Sequence, residues 1–356
     1  MTDAFKKVLD AIFSEASGRD FRFMEFCGGH TYALAKSGMA SVLPDNIKMV
    51  HGPGCPVCVL PTAKVALGMQ VLQHKDVIFC TYGDVMRVPD GKGGSFAKMK
   101  AQGADVRAVY SPLDVLKIAK ENQDKKVVFF AVGFETTAPL TAAVVMEAKR
   151  QKIKNFFVLN NHIVTEKAMR AVLAESELCG VIAPGHVAAI TGFAFLEKVA
   201  ADFKMPMVIT GFEPMDLLVA ILMLVRQVNG GSYRLENEYK RALKSEGNPV
   251  AMALLNKVFS ARKDFNWRGL GTISDSAFSF AEEYEDFDAE KVFSLCEKEG
   301  AEPKGCICPL VIKGEKEPTD CPLFARACVP ENPVGACMVS SEGTCGAYYK
   351  YNRGKL

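Results

Sequence analysis

Short apolar runs rich in β-branched and aromatic residues alternate with longer helical patterns from residue 21 to residue 229, and no other feature restricts the fold as much. The runs are F-R-F-M-E-F, I-K-M-V, D-V-I-F-C-T and D-V-R-A-V-Y between Phe21 and Tyr110, then K-V-V-F-F-A-V, F-F-V-L, G-V-I-A and M-V-I-T between Lys126 and Thr210. Each precedes a stretch with apolar residues at helical spacing, near 31–38, 61–73, 94–102 and 112–123, then 138–151, 165–174, 187–200 and 214–228. Strands apolar on both faces with helices between them form parallel sheets covered by those helices. The chain therefore reads as α/β, with two similar parallel-sheet β/α domains facing a cleft.

A chain of 356 residues exceeds what one core supports, so more than two units are expected. The boundaries predicted are 21–124 and 125–229 for the two β/α domains, and 230–356 for a mostly helical or irregular C-terminal iron–sulfur domain. Residues 232–300 read as polar helical stretches around one aromatic segment, F-N-W-R-G-L-G. Residues 1–20 hold an amphipathic helix with Phe5, Val8, Leu9, Ile12 and Phe13 at helical spacing, expected to pack on the C-terminal domain. G-F-E-T at Gly133 and G-F-E-P at Gly211 echo one another, each after an apolar strand and each opening a helix.

Six of the twelve cysteines, Cys306, Cys308, Cys321, Cys328, Cys337 and Cys345, fall within forty residues among loops rich in Pro and Gly. Three chemistries compete for such a density. Disulfides suit a secreted chain, but residues 1–20 show no apolar signal core, so a reducing, cytoplasmic compartment is expected. Zinc favours paired Cys-x-x-Cys knuckles or trailing histidines, and no histidine follows His186. A 4Fe-4S cluster takes four thiolates at irregular spacing. Four of the six would hold it, leaving two as a dithiol that converts one-electron into two-electron chemistry.

The remaining suggestive residues fall at the carboxyl ends of the predicted strands, where parallel α/β sheets bind ligands. C-G-G-H-T places Cys27 and His30 on a glycine-rich turn, and H-G-P-G-C-P-V-C supplies His51, Cys55 and Cys58. T-Y-G-D contributes Thr81 and Asp84. The second group of strands ends in Glu135, Thr136 and Thr137, in Asn160, Asn161 and His162, in His186, and in Glu213 and Asp216. Amides of the flanking glycines and the His30 imidazole are expected to lower the Cys27 pKa toward a thiolate. Cys55 and Cys58 have the spacing of a redox dithiol or of half a metal knuckle. Three thiols and two imidazoles from adjacent strand ends suit a borderline metal such as iron. Cys80, Cys179 and Cys296 lie in apolar or helical runs and read as inert.

Other classes are excluded more simply. A net charge of +2 makes no electrostatic case for nucleic acid. The longest apolar run, Leu217 to Val225, is far short of the ~20 residues that span a membrane. G-F-E-T-T-A-P lacks the glycine spacing of a nucleotide-binding loop.

Together F-M-E-F-C-G-G-H-T, H-G-P-G-C-P-V-C, T-Y-G-D, V-G-F-E-T-T-A-P, N-N-H, A-P-G-H-V, G-F-E-P and C-M-V-S-S-E-G-T-C resemble one family, the HypD-type maturation factors of NiFe hydrogenases. The resemblance implies a redox-active scaffold, rather than a turnover enzyme, on which an iron carrying two cyanides and one carbon monoxide, the Fe(CN)2CO fragment, is assembled. It implies a HypC-type small chaperone and a HypE-type protein delivering cyanide as a thiocyanate. Carried over, Cys27 is the iron-binding thiolate with His30 beside it, Cys55 and Cys58 are a redox pair near the same iron, and the C-terminal cysteines hold the 4Fe-4S cluster. Asp84, Glu135, His162 and His186 complete the candidate catalytic set. Pro309, directly after Cys308, departs from the glycine expected there. A ferredoxin-linked protein disulfide reductase is the alternative; a zinc hydrolase built on His51, Cys55 and Cys58 is a third reading.

Overall fold

Val, Ile and Phe dominate the short runs, and residues of that shape pack on both faces of a pleated sheet. In the computed structural model, which describes residues 2–298 and 300–352, every one of those runs contains a strand. The order is β1 (Phe21–Glu25), β2 (Ile47–His51), β3 (Val77–Thr81), β4 (Val106–Ala108), β5 (Lys126–Gly133) and β6 (Phe156–His162). It continues with β7 (Gly180–Pro184), β8 (Met207–Thr210), β9 (Leu235–Asn237), β10 (Phe259–Trp267) and β11 (Gly271–Phe280). The first nine form two wholly parallel sheets, one ordered β2-β1-β7-β8-β9 and the other β4-β3-β5-β6. The α/β reading with two parallel sheets is correct.

The assignment of strands to sheets differs from the predicted boundaries. Phe23 of β1 pairs with Gly180 of β7, while β5 pairs with β3, so the division at residue 124 cuts through one sheet. The chain starts the first sheet, builds the whole second sheet over β3–β6, and returns to finish the first. Local patterning marks strands but not partners, and a reading that joins sequence neighbours fails where a domain is inserted into another.

The N-terminal helix Asp3–Glu15 also packs elsewhere than expected. Its Ile12 enters a core with Phe21, Phe23, Leu217, Ile221 and Val225, and Arg226 pairs with Glu15 at 2.7 Å. The very apolar helix Pro214–Asn229, buried along Leu217–Val225, offers a larger surface to it than the loop-rich C-terminal region. Among the described residues no helix is long and apolar enough to cross a membrane.

Residues 259–280 are a long antiparallel hairpin, not polar helix. Charged residues on its open face hid the alternation that buries Phe259, Phe265, Trp267, Ala277 and Phe280. The hairpin closes the end of β6, where the Val164 amide donates to the Ser276 carbonyl at 2.8 Å. Residues 289–298 and 300–352 then run as short helices and loops that touch both sheets, with Arg22 of β1 donating to the Gly314 carbonyl; 299 and 353–356 of the predicted C-terminal domain lie outside the described residues.

Candidate functional site

The carboxyl ends of both sheets open onto one cavity of about 440 Å³. Cys27, Gly54, Pro56 and His186 line it from the first sheet, and Tyr82, Asp84, Thr136 and Thr137 from the second. Ser340, Ser341 and Glu342 close it from the C-terminal region. Two inserted parallel sheets thus bring strand ends far apart in sequence to one crevice.

Cys27 sits between β1 and the helix Gly28–Ser37, at that helix's N-cap, partly exposed to the cavity. The Gly28 amide donates to the Gly54 carbonyl at 3.0 Å, and a Cβ on Gly54 would overlap the Cys27 backbone. Only glycine admits this approach, which sets the Cys55–Cys58 loop directly against Cys27. Burial pushes the Cys27 thiol up to about 12, and the carboxylates of Glu342 and Glu25 push in the same direction. The amides of Gly29 and His30 oppose them without prevailing. The expected lowering toward a thiolate is therefore corrected: the surroundings of Cys27 favour the protonated thiol.

Beneath Cys27 lies a buried polar chain that the sequence reading passed over. Glu25, fully buried in β1, accepts from the Cys27 amide at 2.9 Å and from the Thr31 hydroxyl, and bonds His51 Nδ1 at 2.7 Å. His51 Nε2 meets the Tyr348 hydroxyl at 3.3 Å. Burial raises the Glu25 pKa, against the pull of His51, Thr31 and the amide. His51 is thus committed to Glu25, and neither it nor the Cys55–Cys58 pair lines the cavity, so the zinc-hydrolase grouping does not assemble. A carboxylate ending a strand that carries Phe21, Phe23 and Met24 was the signal available.

The histidines divide. His186 lines the cavity, and burial lowers its pKa. His30 lies behind the wall, fully buried, its Nε2 3.4 Å from the Thr210 carbonyl and its Nδ1 without a partner among the described residues. Burial brings it down to about 4. Phe212 stacks between the two, 4.5 Å from the His30 ring and 4.0 Å from that of His186. His162 is a core residue: Nδ1 donates to Asn160 Oδ1 at 2.6 Å, and burial takes its pKa down to about 3. Glu135 is buried and accepts both the amide and the hydroxyl of Thr165, at 2.8 and 2.7 Å. Its carboxylate caps the helix Thr165–Glu175 and does not reach the cavity. Of the eight candidate catalytic residues, the cavity wall includes Cys27, Asp84 and His186; Glu342 was missed.

Cys55 and Cys58 form a disulfide just under that wall, with the intervening Pro56 and Val57 exposed to the cavity. They belong to the same hydrophobic core as Trp267, Ile312, Cys308, Cys328, Cys337 and Cys345, with Cys306 and Cys321 packed against it. Within the C-terminal six, Cys308 and Cys337 form a second disulfide and the other four are free. The four free thiols are mutual neighbours: burial raises the Cys345 pKa, and the charges of Cys306, Cys328 and Cys321 raise it further. The Val334 amide donates to Cys328 Sγ at 3.3 Å. Pro309 opens the helix Cys308–Ile312, a position where its missing N–H costs nothing. Among the described residues no three His, Cys, Asp or Glu side chains converge as ligands of a single metal ion.

Comparison with known proteins shows the family. The family model described as HypD, hydrogenase formation hypA family, matches residues 3–352. The hydrogenase maturation factor HypD of Azotobacter vinelandii is 47% identical over 94% of this chain and 90% of its own length. That of Cupriavidus necator is 46% identical over 95% and 91%, and that of Escherichia coli 43% over 96% and 91%. The chain therefore belongs to the HypD family of hydrogenase maturation factors.

Proposed function

We propose that, within hydrogenase maturation, this chain holds the iron being dressed with cyanide and carbon monoxide at Cys27 and supplies electrons for that assembly from its own thiols. The observation that carries the reading is the convergence of three sulfur groups, the cavity thiol, the Cys55–Cys58 pair under its wall, and the C-terminal cysteines in the same core. The iron is cargo here. Burial and two carboxylates keep Cys27 protonated; the positive charge of the iron offsets them, so the thiol gives up its proton as the iron binds. His186 and Asp84 then border the bound fragment.

Cyanide arrives bound to sulfur as a thiocyanate on a HypE-type partner, and a HypC-type chaperone shares the iron. Release of cyanide from that sulfur takes two electrons and one proton, leaving a thiol and cyanide ion. Reduced Cys55 and Cys58 furnish both electrons in closing their disulfide, and the two protons they release supply the one consumed. To restore the dithiol, we assign a 4Fe-4S cluster to Cys306, Cys321, Cys328 and Cys345. The donor set fits: four free, neighbouring thiols, Cys328 and Cys345 buried and Cys306 and Cys321 half-buried, with an amide aimed at one sulfur, beside a fifth and sixth already paired. Such a cluster, when bound, supplies single electrons. A reducing cytoplasm is the setting in which these thiols cycle.

Infrared spectra of anaerobically isolated protein test this. Bands of iron-bound cyanide and carbonyl are expected in the wild type and absent in Cys27→Ala; their persistence in that variant sinks the reading. Two disulfides in one core also favour a second reading, a ferredoxin-linked protein disulfide reductase. Under it Cys27→Ala keeps full disulfide reduction and the wild type shows no such bands.

A further inference from the structure

The W-R-G-L-G tip of the β10–β11 hairpin lies outside the cavity yet touches the segment that follows Cys58 and the sulfurs of Cys306 and Cys308. The Arg268 amide donates to the carbonyl of Val59, the residue after Cys58, at 2.9 Å. Gly269, at φ +82°, leaves no space for a Cβ, which would stand 2.9 Å from Pro309 Cα, next to Cys308. The Arg268 side chain is 1% exposed. Its Nε donates to Glu302 Oε2 at 2.8 Å, Nη1 lies 3.6 Å from Cys308 Sγ, and Nη2 lies 3.9 Å from Cys306 Sγ.

A guanidinium stays charged under all ordinary conditions, and burial strengthens its hold on nearby negative charge. Glu302, its carboxylate partner among the described residues, is 45% exposed, so water weakens that pairing, while Cys308 lies on the buried side. We infer that Arg268 is a positioning residue that tunes the C-terminal thiols, favouring the reduced form of the Cys308–Cys337 pair by holding positive charge on Cys308 Sγ. This rests on the proposed reading of those cysteines as a redox centre. When a dithiol reductant attacks Cys337 Sγ, the sulfur–sulfur bond breaks and Cys308 leaves as a thiolate beside Arg268. The reductant's second thiol then displaces Cys337, and the reductant is oxidised to its own disulfide.

The test equilibrates full-length protein, purified anaerobically, in buffers of reduced and oxidised dithiothreitol, with each pair read by mass spectrometry after alkylation. Arg268→Gln should shift the Cys308–Cys337 equilibrium roughly tenfold toward the disulfide, which is ~30 mV for a two-electron couple. Arg268→Lys should keep most of the wild-type value, and Cys55–Cys58 should not move. Glu302→Gln, a change on the half-exposed partner that spares the fold, should shift the equilibrium the opposite way, toward the dithiol. An unchanged equilibrium in Arg268→Gln overturns the inference, as does a shift of the same sign in Glu302→Gln, or a parallel shift at Cys55–Cys58. The readout needs neither iron nor cyanide, so missing infrared bands and a missing thiol shift are separate failures.

Discussion

Gly133-Phe134-Glu135 and Gly211-Phe212-Glu213 are the same three residues at the carboxyl ends of β5 and β8, one in each sheet, and they do different work. Phe134 is buried 6.1 Å from Trp267, joining the second sheet to the hairpin. Phe212 is wedged between two imidazoles at the cavity. Glu135 reaches forward to cap a later helix at Thr165, whereas Glu213 caps its own helix in a reciprocal box with Asp216. The repeated tripeptide secures a turn and an acidic group near a helix start. What surrounds each copy decides whether it serves packing or the site.

The largest effect that separates the copies is stability. Phe134→Ala should cost ~3–5 kcal/mol, as expected of a buried aromatic truncation, read as a lowered denaturation midpoint. Phe212→Ala should cost only ~1–2 kcal/mol while shifting the imidazole resonances of His30 and His186. The reverse order of stability would break the comparison.

Next in size is a pH effect from His162, on the second sheet. Its folded pKa lies at about 3, below the ordinary histidine value, so the unfolded chain binds the proton first as pH falls. Stability from this group is intact above about pH 6.5 and is lost toward pH 3, with a slope approaching ~1.4 kcal/mol per unit. His162→Gln should remove that slope in urea melts across the range. An unchanged slope would place the titration at another group.

The smallest contrast lies in the two glutamates. Glu135→Ala strands a buried amide and hydroxyl and should cost ~1–3 kcal/mol. Glu213→Ala removes an exposed cap and should cost ~0.5–1 kcal/mol. Burial raises the Glu135 pKa, so its ionised form is the less stable one when folded. Its contribution is fully present below the unfolded carboxylate value and declines as pH rises through the folded one. Melts of Glu135→Gln between pH 4 and 7 should lack that decline.

Much of this was legible in the order of residues. The strands β1–β8 were readable because runs such as Val127–Val132 stay apolar on both faces, and the crevice followed from where parallel strands end. Pairing was not readable, since nothing local to Phe23 points to Gly180. Cys27, Asp84 and His186 were found from their turns. His30, His162 and Glu135 stand in equally suggestive turns but face inward, and side-chain direction at a strand end depends on the tertiary surroundings. Glu342 joins the cavity across the whole chain, so only the fold assigns it there.

The insertion of one sheet within the other has a temporal consequence. The strand just before Cys27 has β2 on one side but has to wait during synthesis until β7 emerges to cover the other, and contacts between such distant residues form slowly. Ser340 to Glu342, which finish the cavity, come later still. A nascent chain thus exposes Cys27 before its cavity wall is complete, and a closed crevice doubles as a report that the polypeptide has folded.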